Sequence, residues 1–194
     1  MNKNIEFYNK NADSYFKTTI NLDMSEWIDR FISYIPEGGR ILDAGCGSGR
    51  DSKTFISKGF SVVAFDGSKA LCSLASEYIG QTVLNMCFDE ISYENEFDGI
   101  WACASLLHVS YDELIIVIDR LKRSLKQSGV FYASFKYGNN ISEVEDRSFA
   151  NFTEETLIEM FLKAGFVVKD CGFSMQIRDD NTKQKWVNII AEKD

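Results

Sequence analysis

Three glycines at alternate positions follow a short apolar run in the first quarter of the chain. The segment reads RILDAGCGSGRD, with Asp43 placed before Gly45, Gly47 and Gly49. Glycine at alternate positions lets the backbone turn tightly and removes the Cβ atoms that would block a ligand. Apolar residues at helical spacing follow over residues 53–58. The segment therefore predicts a strand, a glycine-rich turn and a helix whose first N–H groups point towards a ligand.

The spacing of these glycines discriminates between two classes of ligand. A dinucleotide-binding turn follows G-x-G-x-x-G, with its third glycine three residues after the second. Here Arg50 occupies that third position. Asp43 would repel a diphosphate, whereas it can attract an ammonium group or orient the amides of the turn. The turn therefore favours a ligand with an amino-acid end, and a plain glycine turn of an α/β protein is the less favoured alternative.

An acidic residue ends the second predicted strand. This strand covers residues 60–65 (FSVVAF), and Asp66 follows it, 23 residues after Asp43. A carboxylate at this position can accept hydrogen bonds from the two hydroxyls of a ribose. The alternative is a helix N-cap, a role that Asp66 and Ser68 both suit because their short side chains accept hydrogen bonds from the first helical N–H groups. One of the two residues can bind ribose while the other caps the helix.

The segment LDAGCGSGRDS resembles the first motif of the class I S-adenosylmethionine (SAM) dependent methyltransferases. The chain looks like small bacterial members of that family, of the tellurite-resistance and thiopurine types. The resemblance implies that the glycine turn lies against the methionine part of SAM and that Asp66 binds its ribose. The predicted cofactor-binding residues are Tyr15, Asp43, Ala44, Gly45, Cys46, Gly47, Gly49, Arg50, Asp66, Gly67, Ser68, Cys87, Phe88, Cys103 and Ala104.

Two later segments resemble further motifs of the family, one of them with a departure. An acidic side chain that contacts adenine commonly stands near the end of the third strand, where this chain has Cys87. The backbone N–H of Phe88 could still reach an adenine nitrogen. The segment FDGIWACASLLHV resembles the fourth motif, and its small residues Cys103 and Ala104 would let backbone carbonyls approach the ammonium group of SAM. Close packing of strands is the alternative role for these small residues.

Three parts of the chain contain the residues predicted to lie near the methyl group of SAM and the acceptor. The segment FYNKNADSYF resembles the family's N-terminal segment, in which an aromatic residue, here Tyr15, closes over the cofactor. His108, the single histidine, follows the end of a strand and suits a general base, with a structural histidine as the alternative. The polar segment 136–150 is the predicted acceptor-binding loop, unless it is only a solvated loop. Its candidate contacts to an anionic or polar acceptor are Lys136, Tyr137 and Arg147.

Length and composition limit the kind of protein. A chain of 194 residues suits one α/β domain, 1–194, in which residues 1–36 form a helical cap region. The formal net charge of −8 disfavours nucleic acid as a partner, because an acidic surface repels phosphates. Five cysteines without a C-x-x-C pair and one histidine predict no metal site. No apolar run approaches the ~20 residues of a membrane span, and a signal-peptide core is lacking, so we expect a cytoplasmic protein.

The order of the predicted elements indicates a three-layer α/β/α fold. Helices are predicted over residues 4–16 and 24–35, followed by alternating strands and helices. Two further strands, 166–173 and 185–191, close the sequence. The resemblance implies a Rossmann-like, seven-stranded, mostly parallel sheet that ends in this antiparallel hairpin.

Three functions are compatible with these patterns. The leading prediction is transfer of a methyl group from SAM to an unidentified acceptor, giving S-adenosylhomocysteine (SAH). The acidic charge and the lack of an appended recognition domain favour a small-molecule acceptor. The first alternative is a protein that binds SAM or SAH without catalysis, because the fold has no obligatory catalytic group. The second is an NAD-dependent oxidoreductase, against which Arg50 and the terminal hairpin argue. The sequence does not indicate an oligomeric state.

Overall fold

A mixed sheet of seven strands forms the centre of the molecule. The computed structural model describes residues 3–139, 142–144, 147–177 and 181–194, with the backbone alone for 142–144, 147 and 148. The described residues contain these seven strands and two others: β1 (Arg40–Ala44), β2 (Ser61–Asp66), β3 (Leu84–Asn85), β4 (Phe97–Ala102), β5 (Leu125–Lys136), β6 (Ser142–Val144), β7 (Arg147–Phe149), β8 (Phe166–Ile177) and β9 (Lys183–Lys193). The order of the main sheet is β3-β2-β1-β4-β5-β9-β8, and β6 and β7 form a separate pair.

Helices cover both faces of this sheet. They are α1 (Lys3–Lys10), α2 (Ala12–Thr19), α3 (Ser25–Ile32), α4 (Arg50–Ser57), α5 (Lys69–Ile79), α6 (Tyr111–Ser124) and α7 (Glu154–Lys163). Ile41 and Leu42, neighbours in β1, belong to two separate apolar cores, because successive side chains of a strand point to opposite faces. Apolar residues of α3, α4 and α5 join the core of Ile41, and those of α6 and α7 join the core of Leu42.

The core on the Ile41 side is built from stacked aromatic rings. Trp101 lies parallel to Tyr132, with ring centroids 3.7 Å apart and 12° between the planes. Phe31 and Phe55 pack against Trp101 at centroid distances of 5.2 and 5.4 Å. The indole N–H of Trp101 donates a hydrogen bond of 2.8 Å to the carboxylate of Asp51. Since Asp51 lies in the first turn of α4, this core fixes the helix that follows the glycine turn.

The strand order places a crevice where the sequence has its glycine turn. The parallel strand β1 pairs with β2 on one side and with β4 on the other, so the chain order reverses direction at β1. In open α/β sheets, ligands bind outside the carboxyl ends of the strands at such a reversal. The turn after β1 and the ends of β2 and β4 therefore share one edge of the sheet.

The predicted three-layer fold with its terminal antiparallel hairpin is confirmed, and two local predictions are wrong. The single helix predicted over 4–16 is interrupted at Asn11, whose side-chain amide donates to the Phe7 carbonyl at 2.8 Å. Asn11 itself leaves the helical conformation, with φ −110° and ψ 18°, and its side chain shares the Phe7 carbonyl with its own backbone N–H. The loop predicted over 136–150 contains the antiparallel pair β6 and β7. None of the helices in the described ranges is long and apolar enough to cross a membrane.

Candidate active site

The glycine turn is held against the end of the neighbouring strand. The N–H groups of Gly45 and Cys46 both donate to the Phe65 carbonyl, each at 2.9 Å. Gly45, Gly47 and Gly49 have φ values of 78°, 56° and 77°, in the left-handed region that a residue with a Cβ rarely adopts. The sequence prediction of a turn that needs glycine at each of these positions agrees with this geometry.

Gly45 has no room for a side chain, which gives the first prediction. A Cβ at Gly45 would lie 2.5 Å from the Cβ of Ser105, whereas one at Gly80, with the same left-handed φ, would meet no atom within 4 Å. Gly80→Ala should cost about 1–2 kcal/mol through backbone strain alone, and Gly45→Ala about 1–3 kcal/mol more through overpacking. Urea unfolding measures the free energy of unfolding of both variants. Equal losses of stability would show that the glycine turn accommodates the added methyl group at Gly45 without a packing cost.

Asp66 ties the turn to the start of α5. Its Oδ2 accepts the N–H of Gly47 at 2.9 Å, and its Oδ1 accepts the N–H of Ser68 at 2.8 Å. The hydroxyl of Ser68 in turn accepts the N–H of Leu71, so Ser68 is the N-cap of α5. Each carboxylate oxygen has two lone pairs, so Asp66 retains capacity for two further donors. Burial raises the pKa of Asp66 above its ordinary value, despite these two bonds.

A cavity of about 520 Å³ opens over Asp66. The turn borders it at Gly45 and Gly47, and the loop after β3 borders it at Cys87 and Phe88. The Phe88 ring packs edge-on against Phe65 at a centroid distance of 5.5 Å. The N–H of Cys87 is taken by the Glu90 carboxylate at 2.7 Å. The cavity thus has a carboxylate at its base and aromatic carbon at one end, a combination that suits a nucleoside.

A second cavity, of about 1140 Å³, lies on the other side of the turn. Its lining includes Asp43, Arg50 and Cys103 near the turn and Lys136 and Phe173 further out. The residues that border both cavities are Tyr8, Tyr15, Gly45, Gly47, Ala104 and His108. The two cavities therefore meet at the glycine turn, where α1 and α2 approach the end of β4.

Three rings surround the junction of the two cavities. The Tyr8 hydroxyl lies 2.8 Å from Nε2 of His108. The ring of Tyr8 meets the ring of Tyr15 edge-on at 5.0 Å. The Tyr15 ring lies directly on Gly47, where an added Cβ would be 3.2 Å from its Cε1 atom. A hydroxyl, an imidazole and the glycine turn are thus brought together at the junction.

Charged residues beside the turn form a buried network. Arg50 makes two hydrogen bonds to Asp51, from Nε at 2.6 Å and from Nη2 at 2.8 Å. Asp43, which is 2% exposed, accepts the hydroxyl proton of Ser52 at 2.6 Å. Burial, and secondarily the Asp51 carboxylate, raise the pKa of Asp43 to about 7. Asp43 is therefore a buried carboxyl group, and a cation placed beside it would favour its charged form.

The comparisons with known proteins agree with this arrangement. A family profile described as "Methyltransferase domain" matches residues 41–129, from β1 into β5. The "Putative methyltransferase YqeM" of Bacillus subtilis (strain 168) is 28% identical over 152 residues, which cover 74% of this chain but only 62% of that protein. An "Uncharacterized methyltransferase" of Staphylococcus carnosus (strain TM300) is 26% identical over 206 residues, 97% of this chain and 99% of the relative.

The chain is thus similar to SAM-dependent methyltransferases in its domain profile, its relatives and its fold, and these likenesses indicate SAM as its cofactor. A solved structure of Burkholderia thailandensis 1,6-didemethyltoxoflavin-N1-methyltransferase, with bound 1,6-didemethyltoxoflavin and SAH, has a TM-score of 0.77 at 22% identity and covers 97% of this chain and 84% of that chain. This likeness confirms the fold of the methyltransferase.

The residues present fit SAM on both sides of the turn. Asp66, half-buried and with unused lone pairs, can hold the ribose hydroxyls in the first cavity. Asp43, at the base of the second cavity, would keep its negative charge beside an ammonium group. The turn lies between them without side chains at Gly45 and Gly47. A ligand with a nucleoside at one end and an amino acid at the other matches this order.

The raised pKa of Asp43 gives a prediction about the free methyltransferase. The ordinary pKa of an aspartate is about 4, so between about pH 4 and pH 7 the folded chain binds a proton that the unfolded chain has lost. The contribution of Asp43 to the free energy of unfolding therefore falls as pH rises through this range and is level above it. Asp43→Asn retains an oxygen for Ser52 but does not titrate. Its stability relative to wild type should rise from about pH 4 to pH 7.

Urea unfolding at several pH values measures this difference. Asp89→Asn, at an exposed carboxylate, is the matched control for the loss of one acidic group. A stability difference between Asp43→Asn and wild type that stays constant across the range would contradict the shifted pKa.

The structure brings most of the predicted cofactor residues to the two cavities. Two of them, Ala44 and Gly49, border neither: Ala44 accepts the Ser105 hydroxyl through its carbonyl, and a Cβ on Gly49 would meet Ile79 at 3.0 Å. The residues that line the cavities are Tyr15, Asp43, Gly45, Cys46, Gly47, Arg50, Asp66, Gly67, Ser68, Cys87, Phe88, Cys103 and Ala104. Their binding roles stay predictions.

The three candidate acceptor contacts have different outcomes. Lys136 borders the second cavity. Tyr137 borders neither cavity, and its ring packs against Phe173 at a centroid distance of 5.4 Å. Arg147 begins β7, but its side chain lies outside the described residues. The sequence also did not single out Ser134, whose hydroxyl accepts the N–H of Ala104 at 2.8 Å. Nothing in its local sequence, within a buried strand, indicates that role.

Proposed function

We propose that this chain transfers a methyl group from SAM to an oxygen, nitrogen or sulfur atom of a small molecule, producing SAH. The observation that carries the proposal is the second cavity, which meets the cofactor cavity at Tyr8, Gly47 and His108. The second cavity extends beyond Asp43, where the methionine end would lie, to Lys136 and Phe173, and this outer part offers room for an acceptor.

The chain has to align the acceptor and remove a proton. When bound, SAM supplies an electrophilic methyl group: a lone pair of the acceptor forms the new bond as the C–S bond breaks, and SAH leaves. Tyr15 on Gly47, with Tyr8 against it, restricts the junction through which an acceptor atom must reach the methyl group. Holding the reactants in line and excluding water supplies much of the rate in such a transfer.

His108 is the general base of this proposal, and Tyr8 is its relay. The neutral imidazole accepts a hydrogen bond at its unprotonated nitrogen. With Nε2 unprotonated, the Tyr8 hydroxyl 2.8 Å away donates to it. A proton leaving the acceptor then passes to the Tyr8 oxygen while the Tyr8 proton moves to His108. An acceptor that is already an anion, such as a thiolate, needs no base.

Three observations support a small molecule over a macromolecule as acceptor. The net charge of −8 opposes binding of nucleic acid. The acceptor cavity is lined by side chains from α2, α3, β8 and β9, which enclose a volume suited to a compact ligand. The Burkholderia enzyme of the same fold is described with the small molecule 1,6-didemethyltoxoflavin bound beside SAH.

Calorimetric titration with SAM, SAH and NAD tests the cofactor, and transfer of a tritium-labelled methyl group tests the reaction. A bacterial extract is divided by filtration into a low-molecular-weight fraction and a macromolecular fraction, and each is incubated with the protein and labelled SAM. We expect SAM and SAH to bind, NAD not to bind, and label to enter the small-molecule fraction. Label in the macromolecular fraction would overturn the acceptor class, and binding without any transfer would favour a non-catalytic SAM-binding protein.

A further inference from the structure

One alanine at the junction of the two cavities has a strained backbone. Ala104 lies just beyond the end of β4 and has a φ of 51°, in the left-handed region. In the described parts of the chain, the other non-glycine residues with positive φ are Asn95, Ser128 and Asn181, all with polar side chains. A short polar side chain can hydrogen-bond locally and so offset part of the cost, whereas alanine has no such group. The conformation of Ala104 therefore depends on support from other parts of the chain.

Ser134 supplies this support on the side that precedes Ala104. Its Oγ accepts the N–H of Ala104 at 2.8 Å, and its own hydroxyl donates to the Sγ of Cys103 at 3.8 Å. Ser134 is 2% exposed and lies in β5, the strand that pairs with β4. Because both contacts come from one buried side chain, they fix the peptide group between Cys103 and Ala104.

Ser105 fixes the chain on the side that follows Ala104. Its hydroxyl donates to the carbonyl of Ala44 at 2.6 Å, and its Cβ is the atom that leaves no room for a side chain at Gly45. With both neighbours held, the dihedral angles of Ala104 are set by these contacts and not by the preference of alanine. Strained conformations persist where the surroundings over-determine them, and they cluster at active sites. Ala104 borders both cavities, so its strain lies at the reacting end.

The segment that follows Ala104 leads directly to His108. The N–H of His108 donates to the carbonyl of Ser105 at 3.2 Å, within the short 3₁₀ turn Leu106–His108. The imidazole at the end of this turn lies 2.8 Å from the hydroxyl of Tyr8. The direction in which the chain leaves Ala104 therefore helps to decide whether His108 meets Tyr8.

We propose that Ser134 is a positioning residue of the methyl transfer, which holds Ala104 in the left-handed conformation that directs His108 to Tyr8. This inference rests on the proposed function, in which His108 is the general base. Without the Ser134 hydroxyl, Ala104 relaxes towards the conformations that alanine prefers, and a fraction of the molecules loses the contact between His108 and Tyr8.

The single histidine of the chain makes this contact directly measurable. NMR spectroscopy of protein labelled in the histidine ring reports on His108 alone, with and without SAH. We expect the ring signals of Ser134→Ala to move from those of wild type towards those of Tyr8→Phe, in which the hydrogen bond is absent. Unchanged signals in Ser134→Ala would overturn the inference.

Ser124→Ala is the matched control for the loss of a buried hydroxyl. Ser124 is 0% exposed, its hydroxyl donates to the carbonyl of Leu121 at 2.7 Å, and it lines neither cavity. Its histidine signals should equal those of wild type. A shift as large as that of Ser134→Ala would show that any buried serine has this effect, and would overturn the specific role of Ser134.

Ala104→Gly tests whether the strain is what Ser134 holds. Glycine adopts the left-handed conformation without the steric cost of a Cβ. The double variant Ala104→Gly/Ser134→Ala should therefore recover the histidine signals of Ala104→Gly alone. Signals that stay displaced in the double variant would overturn the role of the strain.

Two further outcomes are separated by the same measurements. If Ser134→Ala does not fold, Ser134→Cys replaces it, because the thiol has nearly the size of the hydroxyl and is only a weak acceptor. Wild-type protein that fails to bind SAH would contradict the proposed function, whereas the His108 signals would still decide whether Ser134 positions the imidazole.

Discussion

Replacing His108 with glutamine is expected to lower kcat for a hydroxyl acceptor by about 100-fold or more, the usual contribution of a positioned general base. Glutamine can occupy the same volume and hydrogen-bond to Tyr8, but it cannot take a proton at neutral pH. The affinity for SAH should change little, because the cofactor is held mainly through Asp66 and the glycine turn. The effect should therefore appear in kcat and not in the dissociation constant of the cofactor.

Tyr8→Phe is the companion variant that separates a relay from a simple hydrogen bond. Phenylalanine keeps the ring that packs on Tyr15 and removes the oxygen 2.8 Å from His108 Nε2. If the proton passes through Tyr8, this variant should lose nearly as much kcat as His108→Gln, and the double variant should lose little more. Independent, additive losses would show that the two residues act separately.

The rate of SAH formation with catechol as acceptor, measured at saturating SAM, gives kcat for wild type and for each variant. A thiol acceptor serves as an internal control, since its thiolate needs no base and its rate should be nearly unchanged. A His108→Gln variant that methylates catechol at the wild-type rate would remove His108 from the mechanism.

The second large effect is expected at Asp66. Asp66→Ala removes the acceptor for two ribose hydroxyls and also the partner of the Gly47 and Ser68 N–H groups. Hydrogen bonds to a charged group contribute about 1.5–3 kcal/mol each, so losing two predicts an SAH dissociation constant about 100-fold higher or more. Asp66→Asn should have an intermediate effect, because one oxygen remains.

Calorimetric titration with SAH measures both Asp66 variants. Asp89→Ala is the matched control, since Asp89 also borders the cofactor cavity but is exposed and accepts its described hydrogen bond, from Arg120, through its backbone carbonyl. Its SAH affinity should equal that of wild type. An Asp66→Ala protein that binds SAH as tightly as wild type would place the ribose elsewhere and contradict the assignment of the first cavity.

Local sequence predicted the turn and its acidic neighbour because their requirements are local. A backbone with positive φ at three alternate positions needs glycine there, and the pattern states this directly. An acidic residue at the end of β2 is recognisable because alternating strands and helices fix which strand ends lie together. The sequence pattern likewise predicted two terminal strands, and the resemblance to the methyltransferases implied that they form an antiparallel hairpin.

Other features depend on residues far apart in the chain. The sequence showed His108 as a lone histidine, and only the fold brings Tyr8, 100 positions away, to its Nε2. It also did not show that Asp66 accepts the N–H of Gly47. The sequence by itself therefore identified the candidate residues of the site, and only the tertiary structure decided which residues they contact. The physical reason is that a contact between distant parts of the chain leaves no periodic pattern in the sequence.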